Sequence, residues 1–120
     1  MITIFKREDK LPSVVYDDEN KTVKIAGIIA PENPIDFFSK LEEEIKNIYK
    51  QNNHITIDFQ LDYFNTGSAR YLYLMLKNLK DFQNTEFIWQ FEKDDEDIYE
   101  SGQELEKLCN IKFRFIEINR

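Results

Sequence analysis

Apolar and polar positions along the chain mark out short strands alternating with amphipathic helices. Between Ser13 and Ala30, VVY and VKIAGIIA flank the turn-prone DDENK, and Val23, Ile25, Gly27 and Ile29 alternate with Lys24, Ala26 and Ile28. This predicts a hairpin. PENP follows, with Asn33 placed to cap a helix, Pro34 suited to its first position, and Asp36 in the first turn, where a negative charge is favourable. Beyond it Ile35, Phe38, Leu41, Ile45 and Ile48 recur at spacings of three and four, with Lys40, Glu43, Glu44 and Lys46 on the other side. That spacing is the pattern of an amphipathic helix of about four turns.

In HITIDFQLDYF, residues Ile55, Ile57, Phe59, Leu61 and Tyr63 alternate with Thr56, Asp58, Gln60 and Asp62. One sheet face is therefore apolar and the other wet. A parallel sheet covered on both faces would read as an unbroken apolar run, so helices are expected on one side only. A helix from Thr66 to Gln83 comes next, then the strand TEFIWQF, the acidic helix DDEDIYESGQELEKLC, and a last strand IKFRFIEI. The fold expected is α/β, a mixed sheet with helices packed on one face in the order ββαβαβαβ, with ITIF at the start a candidate extra strand. Gly102 falls inside a predicted helix, where it costs about 1 kcal/mol against alanine, and so marks either close packing or a partner contact.

Composition narrows the function classes. A chain of 120 residues with 42% hydrophobic and 14% aromatic content suits one domain with a phenylalanine-rich core. Its net charge of -7 repels phosphate backbones and anionic lipid surfaces, so neither nucleic acid nor membrane is an expected partner. No apolar run approaches the roughly 20 residues of a spanning helix, and MITIFKREDK lacks a signal peptide's apolar segment, so a cytoplasmic location is expected.

Candidate chemistry is sparse. His54 is the sole histidine and Cys109 the sole cysteine, which leaves no histidine metal cluster and no internal disulfide; KLCNIKF reads as the buried end of a helix. The run Asp94, Asp95, Glu96, Asp97 lacks the spaced oxygens and turn glycine of a calcium loop and instead complements a helix dipole. With glycines only at 27, 67 and 102, no phosphate-cradling loop can be written. Asp58 and Asp62 share the wet strand face, but four residues along a strand is about 13 Å, too far for joint action. No catalytic, cofactor-binding or metal-binding residue is assigned, and the chain does not read as an enzyme.

The junction DYFNTGSARYLYLML carries more. Asn65 suits an N-cap, which puts Thr66, Gly67 and Ser68 in the first helical turn, where backbone N–H groups have no partner within the helix and negative charge is stabilised. The helix centres its apolar stripe on Leu72, Met75, Leu76 and Leu79. At about 100° per residue, Ser68 lies about 40° from Leu72 and Thr66 about 120° away, so Ser68 leans to the core and Thr66 to solvent. Both hydroxyls could simply satisfy helix-end donors. A phosphate on Thr66, though, would meet the positive helix end and add about -1.5 to -2 charges to the surface. Leu74 falls among Arg70, Lys77 and Asp81 on the polar side, with Tyr71 on the flank, a pattern that suits either a partner-binding face or packing under a loop.

YFNTGSARYL, preceded by IAGIIAPENP and followed by the strand with Trp89 and by FEKDDEDIYESG, resembles the SiaC family of small bacterial regulatory phosphoproteins over Leu11 to Ile118. That family is similar in fold to the STAS domains of anti-sigma-factor antagonists. The resemblance implies a signalling switch: a Ser/Thr protein kinase phosphorylates the threonine of an NT[ST]S motif, a PP2C-type phosphatase removes the phosphate, and the unmodified form binds and activates a diguanylate cyclase. Asn65, Thr66 and Ser68 match the motif, while Gly67 departs from the usual hydroxyl residue and so removes a rival phosphosite. Thr66 is then the phosphorylation site, and Asn65, Gly67, Ser68, Arg70, Tyr71 and Leu74 the partner-binding residues. The alternative reading is a STAS-like scaffold or small-ligand module, suggested by the density of aromatics.

Overall fold

The computed structural model describes residues 1–119. Its elements are β1 (Ile2–Phe5), β2 (Ser13–Asp17), β3 (Thr22–Ile29), α1 (Pro34–Asn52), β4 (Ile55–Phe64), α2 (Thr66–Leu79), β5 (Thr85–Glu92), α3 (Glu96–Cys109) and β6 (Phe113–Ile118). ITIF does form a strand, pairing antiparallel with β2. α2 stops at Leu79, short of the expected Gln83, because the following segment leaves the helix to stack Phe82 on Tyr49 of α1, ring centroids 4.7 Å apart.

The six strands lie in the sheet in chain order, with β1, β2 and β3 antiparallel neighbours and β3 through β6 parallel. Each parallel link is a helical crossover that advances one strand in the same direction. Right-handed crossovers advancing one way must place every helix on the same face. α1, α2 and α3 accordingly lie side by side over one core, in which Ile25, Ile57, Phe59 and Trp89 meet Leu41, Leu72 and Leu76, all fully buried.

Two apolar positions depart from the sequence pattern. Leu61 pairs with Gly27 and Tyr63 with Ile28, so Asp62 is an extra residue in β4. A one-residue bulge inverts the alternation beyond it. Phe64 therefore turns to the helices, while Tyr63 is 54% exposed on the open face. In α1, Ile35 is exposed and Phe37 takes the buried position, its ring 5.5 Å from Phe5 of β1 and 5.2 Å from Phe38.

Trp89 anchors α3. Its ring packs against Phe59 at 5.5 Å and Phe113 at 5.1 Å, and its indole Nε1 donates to the Ile98 carbonyl of α3 at 2.9 Å. One turn on, a Cβ at Gly102 would sit 2.6 Å from Trp89 Cδ1 and Nε1 and 2.9 Å from Phe115 Cε1. Gly102 thus marks close packing: the helix rests its backbone on the indole.

On the open face, Lys24, Asp58, Ile88 and Arg114 are successive neighbours across four strands. Ile88 is buried there, flanked by the stems of longer polar side chains. Gln90 Nε2 donates to both Asp58 carboxylate oxygens at 2.9 Å. Partial burial nevertheless holds the Asp58 carboxyl above its ordinary range, against the opposing pull of Gln90, Lys24 and Arg114.

Gly102→Ala is expected to lower stability by about 2 kcal/mol, although the same change on an exposed helix surface would raise it by about 1 kcal/mol; urea denaturation followed by Trp89 fluorescence measures the difference. For Asp58, a raised folded-state pKa means that folding favours the protonated form. That contribution is fully present below the unfolded carboxylate pKa and is lost as pH rises through the folded value. Asp58→Asn should therefore gain stability relative to wild type between about pH 4 and about pH 7, as read from urea midpoints at the two pH values.

Candidate functional site

The C-terminal ends of β3 and β4 deliver the chain into α1 and α2 next to each other. Asn65 N donates to the Ile29 carbonyl at 3.1 Å, tying the start of α2 to the end of β3. Pro34 at the start of α1 has its Cγ 3.8 Å from where a Gly67 Cβ would stand. Asn33 is the N-cap of α1 by position, but its side chain makes no capping bond.

Asn65 caps α2 fully. Its backbone is extended, its Oδ1 accepts from Ser68 N at 2.9 Å, and its carbonyl accepts from Ala69 N at 3.0 Å. The Ser68 amide is thus taken, while those of Thr66 and Gly67 precede the first intrahelical bond. The first turn of α2 carries no acidic residue, whereas α1 has Asp36 and α3 has Glu96 and Asp97. No side chain of its own first turn offsets the positive end of α2.

Thr66 is exposed; Ser68 is 0% exposed, its Oγ buried with no hydrogen-bond partner among the described residues. Arg70, Leu74 and Lys77 continue the exposed crest that Thr66 begins, and Leu74 is 41% exposed. Tyr71 is not on this crest. Its ring stacks on Phe38 of α1 at 6.3 Å, and Gly67 likewise faces α1. The structure therefore brings Thr66, Arg70 and Leu74 to one surface, while Asn65, Gly67, Ser68 and Tyr71 lie beneath or beside it.

Sequence reasoning missed the groove between α2 and α3. It encloses about 310 Å³ and is lined by Phe64, Ala69, Arg70 and Tyr73 on one side and Ser101, Glu104, Leu105 and Leu108 on the other. Leu108 is 57% exposed, and Lys77 Nζ lies over the Tyr73 ring at 5.3 Å. The available signal was Leu108 itself, about 60° off Leu105 around the helix and so at the edge of the α3 apolar stripe.

At the strand ends, Asp62, Tyr63, Phe64, Asp95, Asp97 and Ile98 line an acidic recess. Asp95 caps α3, its Oδ1 accepting from Ile98 N at 3.1 Å, so the acidic run opens a helix. Among the described residues no group of three or more His, Cys, Asp or Glu is placed to hold a metal. His54 is exposed ahead of β4. Cys109 ends α3, buried, with its thiol donating to the Tyr73 carbonyl at 3.6 Å; burial pushes its pKa up, as suits packing. No helix among the described residues is long and apolar enough to cross a membrane.

The model of the SiaC family regulatory phosphoproteins matches residues 5–118. No curated protein matches the chain in sequence. Among solved structures, the chain is similar to one of the diguanylate cyclase SiaD in complex with its activator SiaC from Pseudomonas aeruginosa. The TM-score is 0.84 at 18% identity, over 98% of this chain and 100% of that one. Apo-SiaC from the same organism gives a TM-score of 0.76 at 17% identity, over 97% of this chain and 99% of that one.

Asn65→Ala is expected to cost about 1 kcal/mol, and Ser68→Ala, which removes a buried unpartnered hydroxyl, to raise stability by about 1 kcal/mol. Urea denaturation of the two variants checks both signs.

Proposed function

Because the chain belongs to the SiaC family of regulatory phosphoproteins, we propose that it is a non-catalytic switch worked through Thr66. A Ser/Thr protein kinase phosphorylates Thr66, a PP2C-type phosphatase restores the hydroxyl, and the unmodified form binds and activates a diguanylate cyclase. The observation that carries this reading is the exposed Thr66 hydroxyl at the first position of a helix whose first turn holds no negative charge. A kinase can reach it there. The helix end stabilises the product, and a dianion on the crest beside Arg70 and Leu74 changes what that surface can bind.

The interior is left alone. Ser68, the other hydroxyl of the motif, is sealed in the core and beyond an enzyme's reach without unfolding. A diguanylate cyclase as effector is supported by the similarity to SiaC, which is the activator of SiaD in the complex.

Incubation with ATP and the proposed partner Ser/Thr kinase should add one phosphoryl group to wild type and none to Thr66→Ala, read by intact mass. An unmodified wild type, or a modified Thr66→Ala, would falsify the assignment. In calorimetry against the diguanylate cyclase, Thr66→Ala should bind as wild type does, and the phosphoform or Thr66→Asp about tenfold more weakly or worse, a difference of about 1.4 kcal/mol. Equal affinities for all forms would remove the switching role.

A further inference from the structure

We infer that Arg70 is the internal partner of phosphorylated Thr66, so that phosphorylation withdraws from the α2–α3 groove the one cation among its described lining residues. The inference rests on the reading of Thr66 as a phosphosite and adds how the modification reaches beyond its own position.

Arg70 follows Thr66 by one helical turn, a spacing that brings Cβ atoms to about 5–6 Å, and both residues are exposed. Gly67 has no side chain to stand between them, and the atom nearest its missing Cβ belongs to Pro34 of α1. Arg70 has no ion-pair partner among the described residues, whereas Lys40 of α1 is held by Asp36 at 3.5 Å. Lys77 is about three turns from Thr66 and lies over Tyr73.

The cap makes a side-chain donor necessary. Asn65 already occupies the Ser68 amide. A phosphate with three strong acceptor oxygens thus finds only the Thr66 and Gly67 amides free in the helix end. Toward α3 the surface carries Asp95 and Asp97, which repel the dianion. A guanidinium one turn away, with its planar fork of donors, is the complementary group.

Among the described residues, Arg70 and Glu104 are the only charged ones lining the α2–α3 groove. With Arg70 drawn to the phosphate, Glu104 remains alone. A partner that sets an acidic residue against Arg70 then meets repulsion in place of attraction, so one modification changes the charge of two neighbouring surfaces.

The test uses the full chain with phosphothreonine genetically installed at position 66, titrated by phosphorus NMR, beside the same protein carrying Arg70→Gln or Arg70→Lys. The wild-type phosphate should titrate about half a unit or more below that of Arg70→Gln, with Arg70→Lys between them and the gap narrowing at about 1 M salt. Equal midpoints in wild type and Arg70→Gln at low salt would overturn the pairing. The phosphate is installed, not added by the kinase, so this result is independent of the mass measurement that decides whether Thr66 is modified at all.

Discussion

The handedness of the crossovers organises this molecule. Three βαβ links advance in the same direction, and with the right hand that such crossovers take as a rule they leave no choice of side, so α1, α2 and α3 share one face and the other stays open. A doubly wound sheet reverses its strand order and opens a crevice at the reversal, where ligands bind. The parallel part of this sheet has no reversal. Its C-terminal edge offers adjoining helix starts instead, a surface suited to another protein or to a covalent modification more than to an enclosed small molecule.

The start of α2 sits on that edge for reasons that can be followed bond by bond. The Asp62 bulge turns Phe64 inward at the last step of β4. Asn65 is then fixed twice, through its amide to the end of β3 and through its side chain to Ser68. Thr66 is left in water by the same geometry that buries Ser68 two residues on. Thr66 thus stands in solvent over a doubly fixed backbone.

The α2–α3 groove depends on a different contact. Gly102 lets α3 come down onto Trp89, and the indole holds the Ile98 carbonyl. Lowered this way, α3 still leaves a gap to α2 in which Tyr73 and Leu108 stay partly exposed. Arg70 lines that gap and also belongs to the crest with Thr66, so one residue joins the two surfaces.

Much of this was legible in the sequence. The alternation in β4 announced a sheet with one wet face, PENP and Asn65 located two helix starts, and angular spacing alone separated Thr66 from Ser68, because period and cap chemistry are local properties of consecutive residues. Tyr63 and Ile35 were misread because a bulge and a ring from β1 decide their environment, and neither is written in the flanking residues. The meaning of Gly102 and the placing of Leu108 and Tyr73 on one groove depended on which elements become neighbours. Only the assembled sheet decides that, since contacts between residues far apart in the chain follow from strand order and crossover hand rather than from local spacing.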